Sequence, residues 1–275
     1  MQPIFVVGLM PRCGSHFLAS LLCQHPACRK SVLAEDVTLP NAGRLAQFVE
    51  QNGTGWRHTM GESHLGDAAL LYRCLGDGLL AFLAQTRARY DQARAEQFQV
   101  TPNPPTCLVS KTPSVHNIRY FFQLFPDAHL LLLVRDGRAV VESTVRSFGG
   151  ERVALMQQWA NYARELLCFL HDPTNSGKAY RLVRYEDLYM HTETEMRAIL
   201  AFLGLDAACY DFEAARNLPV IGSSTFKRGT GKVHWLPVQK SADFDPLARA
   251  ADWDVALHEQ FQTIAGAELA QLGYK

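Results

Sequence analysis

The chain has 275 residues, of which 48% are hydrophobic and 20% charged, an ordinary balance for a globular protein able to bury a full core. Lysine plus arginine equals aspartate plus glutamate, 27 each, so no global field announces a nucleic acid or a membrane as partner, and any anion site has to be built locally from individual basic side chains. The seven cysteines (Cys13, Cys23, Cys28, Cys74, Cys107, Cys168 and Cys209) are odd in number, scattered and without a C-x-x-C pair; this argues against a disulfide framework or a zinc site and for reduced thiols in a reducing compartment.

The N-terminal run MQPIFVVGLMPR lacks a basic leader region and a cleavage site, and its apolar stretch is too short to span a bilayer. The expectation is a soluble cytoplasmic protein with no membrane span and no nucleic-acid partner. Ile4 to Val7 reads as a strand, apolar on both faces as a central parallel strand is. The turn signals Gly8-Leu-Met-Pro11 follow, and from Ser15 to Gln24 the pattern is helical, with Phe17, Leu18, Leu21 and Leu22 on one side. The stretch from Leu33 to Thr101 is less regular, apart from a helix expected over 68–90. Thr101-Pro-Asn-Pro-Pro-Thr106 is a loop too short for a domain linker. Cys107–Ser110 predicts a strand, Val115–Phe125 a helix, and the nearly all Leu and Val run His129–Val134 a buried strand. Arg135-Asp-Gly-Arg138 is a turn before a helix over 140–148. Further helices are expected over 157–170, 193–203 and 252–272, with a strand over 180–183 and a long basic loop over 219–237. Alternating strands and helices predict an α/β fold, a single domain over 1–275 with a central parallel sheet in three α/β/α layers and a P-loop-like nucleotide-binding core.

Two segments carry anion chemistry. In Gly8-Leu-Met-Pro-Arg-Cys-Gly-Ser-His16, a turn between strand and helix points backbone N–H groups inward, and the helix N-terminus adds partial positive charge. Arg12 supplies a planar fork for phosphate or sulfate oxygens; read blandly, Ser15 only caps the helix and Arg12 is solvated. No Lys follows Gly14, so the Walker pattern of ATP and GTP enzymes is missing. In Arg135-Asp-Gly-Arg-Ala-Val-Val-Glu-Ser143, a guanidinium at a strand end and a hydroxyl on the next helix can meet one phosphate; the bland alternative pairs Arg135 with Asp136 or Glu142.

PRCGSHFL resembles the P-R-S-G-T-[ST] loop of the sulfotransferases that use 3′-phosphoadenosine 5′-phosphosulfate (PAPS), in the flavour of the Golgi and tyrosylprotein type and its bacterial relatives. Cys13 stands where the pattern has Ser, and His16 where it has a hydroxyl. LLLVRDGRAVVES resembles the same family's 3′-phosphate motif. Lys111-Thr-Pro113 resembles its catalytic-lysine context, Arg184-Tyr-Glu-Asp-Leu188 its Y-E-D-L, and Phe226-Lys-Arg-Gly-Thr-Gly-Lys-Val-His-Trp235 its late R-K-G-x-x-G-x-W loop. The resemblance implies a sulfotransferase that moves a sulfuryl group from PAPS to a hydroxyl by in-line displacement and releases PAP, with no metal. It implies that Arg12, Cys13, Gly14, Ser15, His16 and Phe17 hold the 5′ end of the nucleotide. Arg135 and Ser143 would hold the 3′-phosphate, Tyr185 would lie near the adenine, and Phe226, Lys227, Arg228 and Gly229 would close over it. Arg138 is expected to tie down its own loop.

Lys111 and Arg12 are expected to meet the leaving-group charge. For the general base three residues stay open: Glu35, the adjacent Asp36, and His116. The segments 37–105 and 205–240 are expected to shape the acceptor pocket and to close on the cofactor. The acceptor itself is left as a small-molecule, sugar, lipid or peptide hydroxyl, and a homodimer is left open. His58, Glu62, His64 and Asp67 are metal-ligand types at a spacing that matches no zinc motif. Two other functions compete: a P-loop-type nucleotide kinase, against which the missing Walker lysine counts, and a non-catalytic nucleotide-binding scaffold, which the departures at Cys13 and His16 keep open.

Overall fold

The structure is a computed structural model that describes residues 2–60, 68–99, 105–223, 236–239, 245 and 247–275, side chains of 53–60 excepted. Five strands, β1 (Gln2–Gly8), β2 (Cys28–Lys30), β3 (Cys107–Thr112), β4 (His129–Val134) and β5 (Tyr180–Arg184), form one sheet in the order β2-β3-β1-β4-β5. Every pair is parallel, with Ile4 opposite both Val109 and His129, and Leu132 opposite Leu182. β1 and β4 are buried along nearly their whole length, which is why both read as unbroken apolar runs rather than alternating ones.

Among the described residues ten α-helices surround the sheet: α1 (Ser15–Leu22), α2 (Thr38–Met60), α3 (Ala68–Phe98), α4 (Phe121–Leu124), α5 (Gly137–Phe148), α6 (Arg152–His171), α7 (Tyr185–Met190), α8 (Thr192–Phe202), α9 (Phe212–Arg216) and α10 (Val255–Gln271). From β1 the chain runs to β2 on one side of the sheet. After β3 it crosses back to β4 and β5 on the other, and right-handed crossovers in opposite directions place their helices on opposite faces. On one face Tyr210 Oη donates to Leu21 O at the end of α1 (2.9 Å), and the His25 ring meets Asp206 O (3.1 Å). On the other, Phe5 of β1 packs edge-on to Phe121 and stacked on Phe125 (ring centroids 5.2 and 4.7 Å), and Trp159 of α6 meets Phe261 of α10 (5.7 Å). The three-layer α/β/α architecture is therefore the one expected.

The departures from the expected elements are local. β2, only three residues long, and α2 were not anticipated. The helix expected over 115–125 is instead a 3₁₀ turn (Ile118–Tyr120) followed by the single turn α4, because Asn117 adopts a left-handed conformation (φ 66°) that interrupts a helix. α3 runs eight residues past its expected end at Tyr90. Gly76 lets α3 lie directly on α4: a Cβ there would fall on the Leu124 carbonyl. Among the described residues α3 is also long and apolar enough, by length and composition alone, to cross a membrane; it packs on α2 and α4 and leaves Leu70 and Phe82 exposed.

Candidate active site

The reversal of strand order around β1 opens a crevice at the carboxyl ends of the strands, the place where open parallel sheets bind ligands. Four strands deliver side chains to it. β1 ends at Gly8 and leads through Arg12 to α1; β3 ends at Lys111-Thr112; β4 is followed by Arg135, and β5 by Tyr185. Together they line a cleft of about 1010 Å³.

The β1–α1 loop is held in shape by two left-handed residues, Arg12 (φ 78°) and Gly14 (φ 101°). Gly14 is needed twice over, since a Cβ would also come within 2.7 Å of the Tyr185 ring. The Cys13 side chain turns beneath the loop, fully buried against Gly8, and burial pushes its thiol up. Its sulfur accepts from the Ser15 N–H, so it serves the loop from below and does not line the cleft. α1 has no side-chain cap on its N-terminal residue Gly14, which leaves the positive end of the helix open toward the cleft.

Three arginines converge here. Arg12 Nε donates to Ser143 Oγ on α5 (3.2 Å) and Nη2 to Gly222 O (2.5 Å). Burial, Arg135 and Arg249 together push the Arg12 guanidinium down to about 10, still cationic at neutral pH. Arg135 is buried, donates from Nη1 to Arg12 O (3.0 Å) and lies 4.4 Å over the Tyr185 ring. The two carboxylates that the sequence offered to Arg135 have other partners: Asp136 holds Arg138 (2.6 Å), and Glu142 holds Arg146, Arg152 and the Trp253 indole. Arg138 also donates to Lys275 O (2.7 Å), beyond the end of α10, so it joins its loop to that segment. Glu186 accepts from Asp136 N (2.9 Å) and Tyr274 Oη (2.8 Å), fixing the turn that carries Arg135.

Arg249 was missed by the sequence reading. It is 7% exposed, donates to Ser223 Oγ (3.3 Å), and its Nε has no partner among the described residues. Burial, with Arg135 and Arg146, pushes it down to about 10. Gly222 and Ser223 reach the cleft because Val220 and Val238 form an antiparallel bridge (2.8 and 3.0 Å) that draws the two ends of the basic loop together. The loop residues Phe226, Lys227, Arg228 and Gly229 lie outside the described residues, as do Glu62, His64, Asp67 and the His58 side chain.

Also lining the cleft, Lys111 Nζ meets Glu35 Oε1 at 3.0 Å, with the Glu35 side chain 44% exposed. The three base candidates separate by position. Glu35 lines the cleft. Asp36 is buried and occupied: it accepts from Ser110 Oγ (2.6 Å), Thr112 Oγ1 and Thr38 N (2.8 Å), clamping the segment after β2 to β3. His116 does not line the cleft and is half exposed beside Glu165 (3.4 Å). His16, on the first turn of α1, lines the cleft, and burial together with Lys30 and Lys111 pushes its imidazole down to about 4. Among the described residues no group of three or more His, Cys, Asp or Glu side chains could hold a metal.

A family model described as the sulfotransferase family matches residues 3–208. The protein-tyrosine sulfotransferase of Drosophila melanogaster is 29% identical over 213 residues, which cover 74% of this chain and 38% of the fly protein. Protein-tyrosine sulfotransferase 1 of Danio rerio is 24% identical over 240 residues, 84% of this chain and 62% of the fish protein. The chain thus spans between two-fifths and two-thirds of the length of these relatives. A sulfotransferase from Alicyclobacillus acidocaldarius, with 14% identity, aligns over 99% of this chain and 94% of its own with a TM-score of 0.49.

Proposed function

The chain belongs to the sulfotransferase family, and from that premise we propose that it transfers the sulfuryl group of PAPS to a hydroxyl acceptor and releases PAP. The observation that carries this is the gathering of two charge clusters in one cleft: Arg135 and Arg249 with Ser143 and Ser223, and the Lys111–Glu35 pair, with Arg12 of the β1–α1 loop bonded to Ser143. A nucleotide with phosphates at both 3′ and 5′ positions needs cations at two separated points, and the reacting sulfur needs a base beyond the second.

PAPS fits this donor set. Arg135, Ser143 and Arg249 would hold its 3′-phosphate, the open end of α1 and Arg12 its 5′ end, and Tyr185, already against the Arg135 guanidinium, its adenosine. In the transfer Glu35 takes the acceptor hydroxyl proton and the freed oxygen attacks sulfur. The bond from sulfur to the 5′-phosphate oxygen breaks with its electron pair going to that oxygen. Lys111 and the loop N–H groups meet the charge that builds there, as sulfuryl transfer, like phosphoryl transfer, requires. A cytoplasmic site of action belongs to the same proposal and is supported by seven free thiols. The acceptor is a small-molecule, sugar, lipid or peptide hydroxyl.

Glu35→Gln tests the chemistry. PAP affinity by calorimetry should be unchanged, while PAPS-dependent sulfation of a hydroxyl acceptor should fall roughly 10²- to 10⁴-fold, the usual worth of a general base. Turnover that survives the change would move the base elsewhere, and preference of the wild type for ATP or GTP over PAP would remove the sulfotransferase reading.

A further inference from the structure

Beside the cofactor cleft lies a second recess of about 350 Å³. It shares His16 and Lys111 with the cleft and adds Lys30 from the end of β2, with Ser31, Leu33 and Val109 as walls. Its electrostatics are unbalanced. Lys30 Nζ donates to Ser20 Oγ at 2.6 Å, and no described carboxylate lies within 4.0 Å of it. Lys111 is paired with Glu35, which lines the cofactor cleft and not the recess. Two ammonium groups therefore line one recess that no described carboxylate lines, although a half-buried ammonium is costly without a counter-charge. The neighbouring groups register that imbalance: burial and Lys111 hold Lys30 below its usual range, and Lys30 and Lys111, after burial, depress His16. The apolar walls make the recess a poor place for ammonium groups left to water alone.

We propose that the recess bounded by Lys30, His16 and Lys111 binds an anionic group (carboxylate, sulfate or phosphate) carried by the acceptor next to the hydroxyl that is sulfated. The inference rests on the sulfotransferase reading and narrows it from any hydroxyl to an acid-bearing one. Lys30 lies outside the cofactor cleft, so it is free to hold the acceptor while Lys111, at the shared boundary, and Glu35 stay on the reacting atoms. The three groups sit on three elements, β2, α1 and β3, so binding is also a positioning device that sets the acceptor oxygen by Glu35.

The experiment follows the His16 ring protons by NMR in PAP-saturated protein as sodium sulfate is added at constant ionic strength. A saturable shift and a rise of the His16 titration midpoint from its depressed value are expected in the wild type. Lys30→Met should weaken the apparent Kd for sulfate at least tenfold, and Lys30→Arg should largely keep it, which guards against a variant that merely misfolds. Equal sulfate affinity in wild type and Lys30→Met would put the anion in the sulfuryl position of the cofactor cleft and overturn the proposal, as would the absence of any saturable shift. A second arm separates an acceptor subsite from a site for free inorganic anions: 4-hydroxybenzoate should compete with sulfate and phenol should not, whereas failure of both would leave an inorganic-anion site only and overturn the acceptor assignment. If the protein does not bind PAP, the sulfotransferase reading falls by itself, and the sulfate titration of the unliganded protein still decides whether Lys30 holds an anion.

Discussion

At Arg249 the guanidinium has one serine partner and a buried Nε with none among the described residues, and burial, with Arg135 and Arg146 beside it, pushes it down to about 10, as burial with Arg135 and Arg249 does Arg12. Such a group gains far more from a phosphate than a solvated arginine does, because charge-assisted bonds strengthen where water is excluded. Arg249→Met is expected to lower PAP affinity by roughly 10- to 100-fold, the equivalent of about 1.5–3 kcal/mol for hydrogen bonds to a charged group. 5′-AMP, which lacks the 3′-phosphate, should bind wild type and variant alike; an equal loss for both nucleotides in parallel calorimetric titrations would show that Arg249 only supports the cleft. The Gly14 position makes the complementary case without charge. Gly14→Ala adds a methyl group at a left-handed φ and into the Tyr185 ring, so PAP binding should be lost while far-UV circular dichroism is retained.

At the scale of elements, Asp36 links the acidic pair after β2 to β3. Its carboxylate accepts two hydroxyls and a backbone N–H while its own N–H donates to Lys111 O (3.1 Å), so it sets where Glu35 meets Lys111. Asp36→Asn should destabilise the fold by about 1.5–3 kcal/mol in urea unfolding, because an amide cannot accept from both hydroxyls and the lost bonds are charge-assisted. Turnover should drop with it through misplacement of Glu35, and an unchanged denaturation midpoint would refute the clamp. The same comparison of elements explains what the sequence disclosed. β1, β4 and their loops were legible because burial on both faces demands unbroken apolar runs, and because Arg12 and Arg135 stand in the turns after those strands, with Ser143 on the helix that follows, in motifs that resemble a family's phosphate loops. β2 was not legible: it is three residues long, two of them Arg29 and Lys30, and it lies at the sheet edge where charge is tolerated. α2 carries Pro40, Gly43, Gly53 and Gly55, residues that local propensity assigns to turns. Arg249 stands in a short non-periodic segment, and only the fold brings it beside Arg12 and Arg135. Asp36 stood as a rival to Glu35 in sequence because adjacent residues in a loop can face either way, and the hydroxyls of Ser110 and Thr112 decide which is consumed by structure.

For the whole molecule the balanced charge of 27 against 27 conceals a strongly uneven distribution, with three buried or half-buried arginines facing one cleft. Their burial and mutual repulsion are a standing cost of the fold, since pKa values near 10 leave Arg12 and Arg249 charged at pH 7. A ligand with two phosphates removes that cost as well as adding contacts, and it binds only the folded chain. At about 100 times its Kd such a ligand stabilises by roughly 2.7 kcal/mol. For a chain of this size that corresponds to a rise in Tm of roughly 5–10 °C. PAP is therefore expected to raise the midpoint by that amount in differential scanning calorimetry, and 5′-AMP at the same concentration to raise it much less, because it leaves Arg135 and Arg249 without a phosphate. Equal stabilisation by the two nucleotides would mean that the arginine cluster does not read the 3′-phosphate. The cleft would then be a general nucleotide site, and the two charge clusters along it would need a different account.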